Sequence, residues 1–116
     1  MSNYKDLLVW QMSIELVKDI YRLIPKLPDS ERYNLSDQMK RSAVSVPSNI
    51  AECAGRGSNK DYLRFLYIAR GSLRELETQL IIIGELEFYK PVALLEKVNT
   101  LSKMLAGLVN AIKYAA

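Results

Sequence analysis

The sequence predicts an all-α protein: an up-down-up-down antiparallel four-helix bundle, with its second helix kinked at Pro47. Three observations carry this prediction. Apolar residues recur at three- and four-residue spacing in four separate stretches. The stretches are divided by Pro25 and Pro28, by Gly55 and Gly57, and by a turn ending at Pro91. No run alternates with period two, and no hairpin dipeptide is present. The 116 residues form one domain over the whole chain, long enough for a single core. Connections this short make sequential helices antiparallel neighbours.

Asp6 is the expected cap of a first helix over Leu7 to Ile24. Trp10, Ile14, Val17, Tyr21 and Ile24 share one face, and Leu16, Ile20 and Leu23 widen it. Trp10 is the expected core anchor. Proline cannot continue the hydrogen-bond ladder, so Pro25 and Pro28 end this helix. Ser36 is the expected N-cap of a second helix over Asp37 to Ala54, whose apolar face is Met39, Ala43, Val46, Ile50 and Cys53. The apolar period carries through Pro47 without a phase break, which favours a kink over two separate helices.

Ser58 opens a third helix, with Asp61 at the capping-box position. Its apolar stripe is Tyr62, Phe65, Leu66, Ala69, Leu73, Leu76, Leu80 and Ile83. Residues 87–90 form the next turn, and Pro91 suits the first turn of a fourth helix. There Leu94, Val98, Leu101, Leu105, Leu108 and Ile112 follow a heptad-like period. No internal repeat and no low-complexity tract interrupts this order.

Composition excludes most catalytic classes. The chain has no histidine, so the usual base of a hydrolase triad is missing. One cysteine and no histidine cannot make a structural zinc site, and the Glu-x-x-His pairs of a dicarboxylate metal bundle are lacking. Gly55-Arg56-Gly57 lacks the strand and the Lys-Ser/Thr tail of a phosphate loop. Cys53 reads as a small buried hydrophobe. No enzyme activity, cofactor or metal is therefore expected. The lone cysteine suits a reducing cytosol. Residues 1–6 lack the apolar core of a signal peptide, and the longest apolar run, Leu80 to Gly84, is too short to cross a membrane. The expected location is cytoplasmic, with no membrane partner.

Two features stand out from an ordinary bundle. One is a pair of polar stripes: Ser45, Asn49 and Glu52 on the second helix, and Ser72, Glu75 and Gln79 on the third. Gly71 and Ser72 would let the two backbones come close. Such groups form either a structural network that fixes register or subunit contacts, or a polar pocket. The other is charge. The net charge is +3, but residues 32–74 hold +5 and the remainder −2. Lys60, Arg64 and Arg74, with Tyr67 between, share one face of the third helix. That face is either a solvated surface or a phosphate-contacting stripe on which Tyr67 stacks a base.

The stretches Leu7-Leu8-Val9-Trp10, Ser45-Val46-Pro47-Ser48-Asn49-Ile50-Ala51-Glu52, Arg56, and Phe65-Leu66-Tyr67-Ile68-Ala69-Arg70-Gly71-Ser72-Leu73-Arg74-Glu75-Leu76-Glu77-Thr78-Gln79 resemble the bacterial four-helix-bundle family of 23S rRNA intervening-sequence proteins. The resemblance covers nearly the whole chain. Cys53 stands where the family usually has Gly, a stronger helix breaker, so the second helix is expected to reach Gly55. The resemblance implies a homo-oligomeric ring, with five subunits the expected number, and no assigned enzymatic activity. The related accessory variability determinants of diversity-generating retroelements are basic pentamers that bind nucleic acid and a reverse transcriptase. By that likeness, RNA or DNA binding would fall to Arg56, Lys60, Arg64, Arg70 and Arg74. Assembly or structure would fall to Asn49, Glu52, Ser72, Glu75 and Gln79. The alternative is a scaffold whose partner is another protein.

Overall fold

The computed structural model describes residues 3–54 and 57–114. Over these it holds four α-helices and no strand: α1 Leu8–Leu23, α2 Leu35–Ala54, α3 Asn59–Glu85 and α4 Val92–Lys113. The body measures 49 × 22 × 20 Å. At ~1.5 Å per residue α3 is about 40 Å long, so it must lie along the long axis. Each helix packs on its neighbour in sequence, and α1 packs on α4 to close the bundle. Asn59, opening α3, donates to the Ile112 carbonyl near the end of α4 at 3.4 Å. At the other end a Cβ on Gly84 would lie 3.0 Å from the Pro91 ring. These two contacts make α3 and α4 run in opposite directions.

The start of α1 differs from expectation. Asp6 does not cap it but belongs to a 3₁₀ turn, Tyr4–Asp6, stabilised by Asn3 accepting the Lys5 N–H at 3.0 Å. Leu7 precedes α1 without a side-chain cap. The buried face of α1 is Val9, Ser13, Leu16, Ile20 and Leu23. Trp10, Ile14, Val17 and Ile24 are only half-buried, and Tyr21 is exposed. Trp10 is thus a marginal residue, meeting the Tyr4 ring edge-on at 5.4 Å. Two apolar stripes lie side by side on this helix, and the true core stripe contains a serine. Ser13 is tolerated there because its hydroxyl donates to the Trp10 carbonyl at 2.6 Å.

α2 begins two residues earlier than expected, at Leu35, so Ser36 is a buried residue of the first turn and not the N-cap. Asn34 closes this end, accepting the Gln38 N–H on its carbonyl at 3.0 Å and the Gln38 side-chain amide on its Oδ1 at 2.8 Å. Met39, Ala43, Val46, Ile50 and Cys53 are all buried, as the period predicted. The helix is continuous through Pro47. Proline lacks the N–H that would reach the Ala43 carbonyl. The two residues after it reach back across it with their side chains, Ser48 donating to the Val44 carbonyl at 2.8 Å and Asn49 to the Ser45 carbonyl at 2.8 Å.

α3 starts where the sequence places it, with Ser58 accepting the Asp61 N–H at 3.3 Å. Its end is a Schellman turn: Phe88 N–H reaches the Ile83 carbonyl at 2.9 Å and Glu87 N–H the Gly84 carbonyl at 3.0 Å. Glu87 takes the left-handed position, with φ of 61°. In α4 the core line is Leu94, Val98, Leu101, Leu105 and Val109. Leu108 and Ile112 fall to its half-buried margin. A straight α-helix drifts by ~20° per heptad, which carries Leu108, two heptads after Leu94, off the core line, while Ile112 lies in the last turn of α4.

Candidate nucleic-acid interface

α3 packs on α2 and α4 through its Leu and Ala positions, which turns the opposite side outward. Lys60, Arg64, Tyr67, Gly71, Arg74 and Thr78 occupy that side at alternating four- and three-residue steps, and all are exposed. From Lys60 to Arg74 the stripe spans about 21 Å of helix. Arg70 stands at its edge, half-buried, with its guanidinium 4.8 Å from the centre of the Tyr67 ring. Arg64 lies 4.7 Å over the ring of Phe65. An aromatic face attracts a cation and holds it without neutralising it. Among the described residues, none of Lys60, Arg64, Arg70 and Arg74 has an acidic partner. By contrast Lys18, Arg22, Arg41 and Lys97 are each paired with a carboxylate. Arg56 lies outside the described residues.

Gly71 does not mediate close packing against α2: a Cβ there would meet nothing within 4 Å. It leaves a bare stretch of backbone between Tyr67 and Arg74. Ser72, one residue on, is the group that meets α2. Its hydroxyl and that of Ser45 are 2.8 Å apart. Asn49 donates from Nδ2 to the Ser45 carbonyl at 2.8 Å and to the Ser45 hydroxyl at 3.0 Å. These three half-buried residues therefore form one small network across the α2–α3 contact. Glu52 and Glu75 are exposed. Gln79 is only 4% exposed, and its Oε1 has no donor among the described residues.

A groove the motif reading missed lies between α1 and α2. It is lined by Tyr4, Trp10, Ile14, Val17, Val44, Pro47, Ser48 and Ala51. The signal was present as the second apolar stripe of α1, which the sequence reading assigned to the core. Val44, at 41% exposure, forms part of its wall.

No cluster of three or more Cys, Asp or Glu side chains among the described residues is arranged to hold a metal. Cys53 is fully buried, and burial pushes its thiol pKa up, away from the reactive thiolate. Among the described residues no helix is long and apolar enough to cross a membrane.

The comparisons with known proteins agree with this architecture. No curated protein matches the chain. A solved structure of a protein of unknown function from the S23 ribosomal protein family of Bacteroides thetaiotaomicron VPI-5482 superposes with a TM-score of 0.81. The similarity spans 88% of this chain and 98% of that one at 24% identity, which speaks for the fold alone. The model of the 23S rRNA-intervening sequence proteins matches residues 5–107, from the first turn into the last helix. With its four helices and a match over nearly its whole length, the chain belongs to the 23S rRNA-intervening sequence protein family.

Proposed function

We propose that the protein binds RNA through the outer face of α3, acting without catalysis, in the cytoplasm, as an assembly of several copies. One observation carries this reading: Lys60, Arg64, Arg70 and Arg74 share a side of one helix with Tyr67 and lack acidic partners among the described residues. Phosphate is the natural complement of such a run, since guanidinium groups offer it planar paired donors. The family description concerns an intervening sequence of 23S rRNA, which favours RNA over DNA. Four phosphate contacts on one chain make weak binding, and several copies on a ring, five by resemblance, multiply it through avidity.

Fluorescence anisotropy with a labelled RNA at two salt concentrations tests the proposal. Four contacts at about −0.7 each predict a loss of about fifty-fold in affinity between 50 and 200 mM salt. Arg64→Glu with Arg74→Glu, both at exposed positions, should weaken binding by more than about tenfold while the helical circular-dichroism signal stays intact. Unchanged binding by a folded double variant would rule out this face.

A second reading, a scaffold with a protein partner, is favoured by the apolar α1–α2 groove. Pull-down with nuclease treatment separates the two: partners retained after nuclease support protein contact, and partners lost support RNA.

A further inference from the structure

We infer that the α3 face takes an unpaired stretch of RNA, seating a base in the depression between Lys60 and Tyr67. This rests on the proposed reading of α3 as the RNA-binding face and specifies which form of RNA that face selects. The depression is lined by Lys60, Asp61, Leu63, Arg64 and Tyr67. Lys60, Leu63, Arg64 and Tyr67 are spaced as the four corners of a hole on a helix surface, at steps of three and four residues. Two corners are cationic, one is aliphatic and one is aromatic.

That mixture has a use only if bases are accessible. A-form duplex RNA hides the faces of its bases and presents phosphates, 2′-hydroxyls and a shallow minor groove. Against a duplex, Leu63 and Tyr67 would gain nothing. An unpaired base offers a flat apolar face to both, and the adjoining phosphates reach Lys60 and Arg64. Arg70 strengthens the platform. Lying 4.8 Å over the Tyr67 ring, its planar guanidinium is held where a base adds to the stack or a phosphate takes its free N–H groups. Asp61 points the same way. Its carboxylate is a poor neighbour for phosphate but an acceptor for the amino or imino N–H of a base.

The test uses the full-length protein and two probes of equal length, a labelled mixed-sequence single-stranded RNA and the same sequence as a blunt duplex. Both are titrated by anisotropy at one fixed salt concentration. The single strand should bind about tenfold tighter than the duplex, in line with the affinity that stacking of one base on an aromatic side chain typically adds. Tyr67→Leu keeps the apolar surface but removes the aromatic platform, and should reduce the preference to near none. Arg70→Lys keeps the charge but removes the planar group, and should lower the preference by a smaller factor. Equal binding of both probes by the wild type would overturn the single-strand inference and leave the phosphate-binding face standing. Binding to neither probe by a folded protein would overturn both. Equally tight binding of a polyglutamate peptide of matched charge would show general attraction to anions and overturn the base seat.

Discussion

Cys53 and Gln79 show how a single buried group is decided by what surrounds it. The Cys53 thiol is fully buried, and loss of solvation raises its pKa. A thiol whose folded-state pKa is raised contributes stability that is complete below the unfolded thiol pKa. That contribution is lost as pH rises from there toward the folded-state value. The native protein should therefore resist a disulfide reagent at neutral pH and react only as urea opens the bundle. Stoichiometric labelling within seconds in native buffer would contradict the burial. Gln79 is buried with an acceptor that meets no donor among the described residues. An unsatisfied buried acceptor costs about 1–3 kcal/mol. Gln79→Leu, of similar volume, should raise stability by about 1 kcal/mol, read as a higher urea midpoint with unchanged slope. A lowered midpoint would mean that the amide is making a bond that holds α3 in place.

The helix ends show how much of an element is settled by local chemistry. Ser58 with Asp61 is a start signal that works without tertiary help. The C-terminal end of α3 is made by backbone bonds from Glu87 and Phe88, and its left-handed position carries a side chain. For an L-residue that conformation costs about 1–2 kcal/mol, while glycine adopts it without penalty. Part of the gain from glycine is offset by its greater freedom in the unfolded chain. Glu87→Gly should therefore stabilise the protein by about 0.5–1 kcal/mol in thermal or urea unfolding. A loss of stability would indicate that the Glu87 side chain itself holds the turn.

At the scale of the molecule, apolar helix faces that the bundle covers only in part suggest its associations. Trp10, Ile14, Val17 and Val44 line an open apolar groove, although the bundle already has a closed core. Contiguous apolar surface of this kind is a common mark of an association site. Light scattering at micromolar concentration should give a mass above the 13.2 kDa of one chain. Val44→Lys, on the exposed wall of the groove, should reduce that mass without unfolding the chain. A wild-type mass of one chain would end the assembly model.

The four helices, their approximate limits, the buried line of α2 and that of α3 from Leu66 to Ile83 were determined by the sequence alone, whereas Tyr62 and Phe65, expected on the same stripe, are only half-buried. The apolar periods of α2 and α3 are unambiguous, and Pro25, Ser58 and Pro91 mark helix limits by local chemistry. The basic stripe from Lys60 to Arg74 was legible for the same reason, because one helix places its side chains by spacing alone. Tertiary structure decided which of the two apolar stripes of α1 is core, since the choice depends on where α2 and α4 lie and on Ser13 bonding to its own helix. It also joined Ser45 and Asn49 to Ser72 while leaving Gln79 buried apart, and it laid Arg70 over Tyr67. Contacts of this kind depend on the rotation of each helix about its axis and on side-chain rotamers, neither of which the period of a sequence contains.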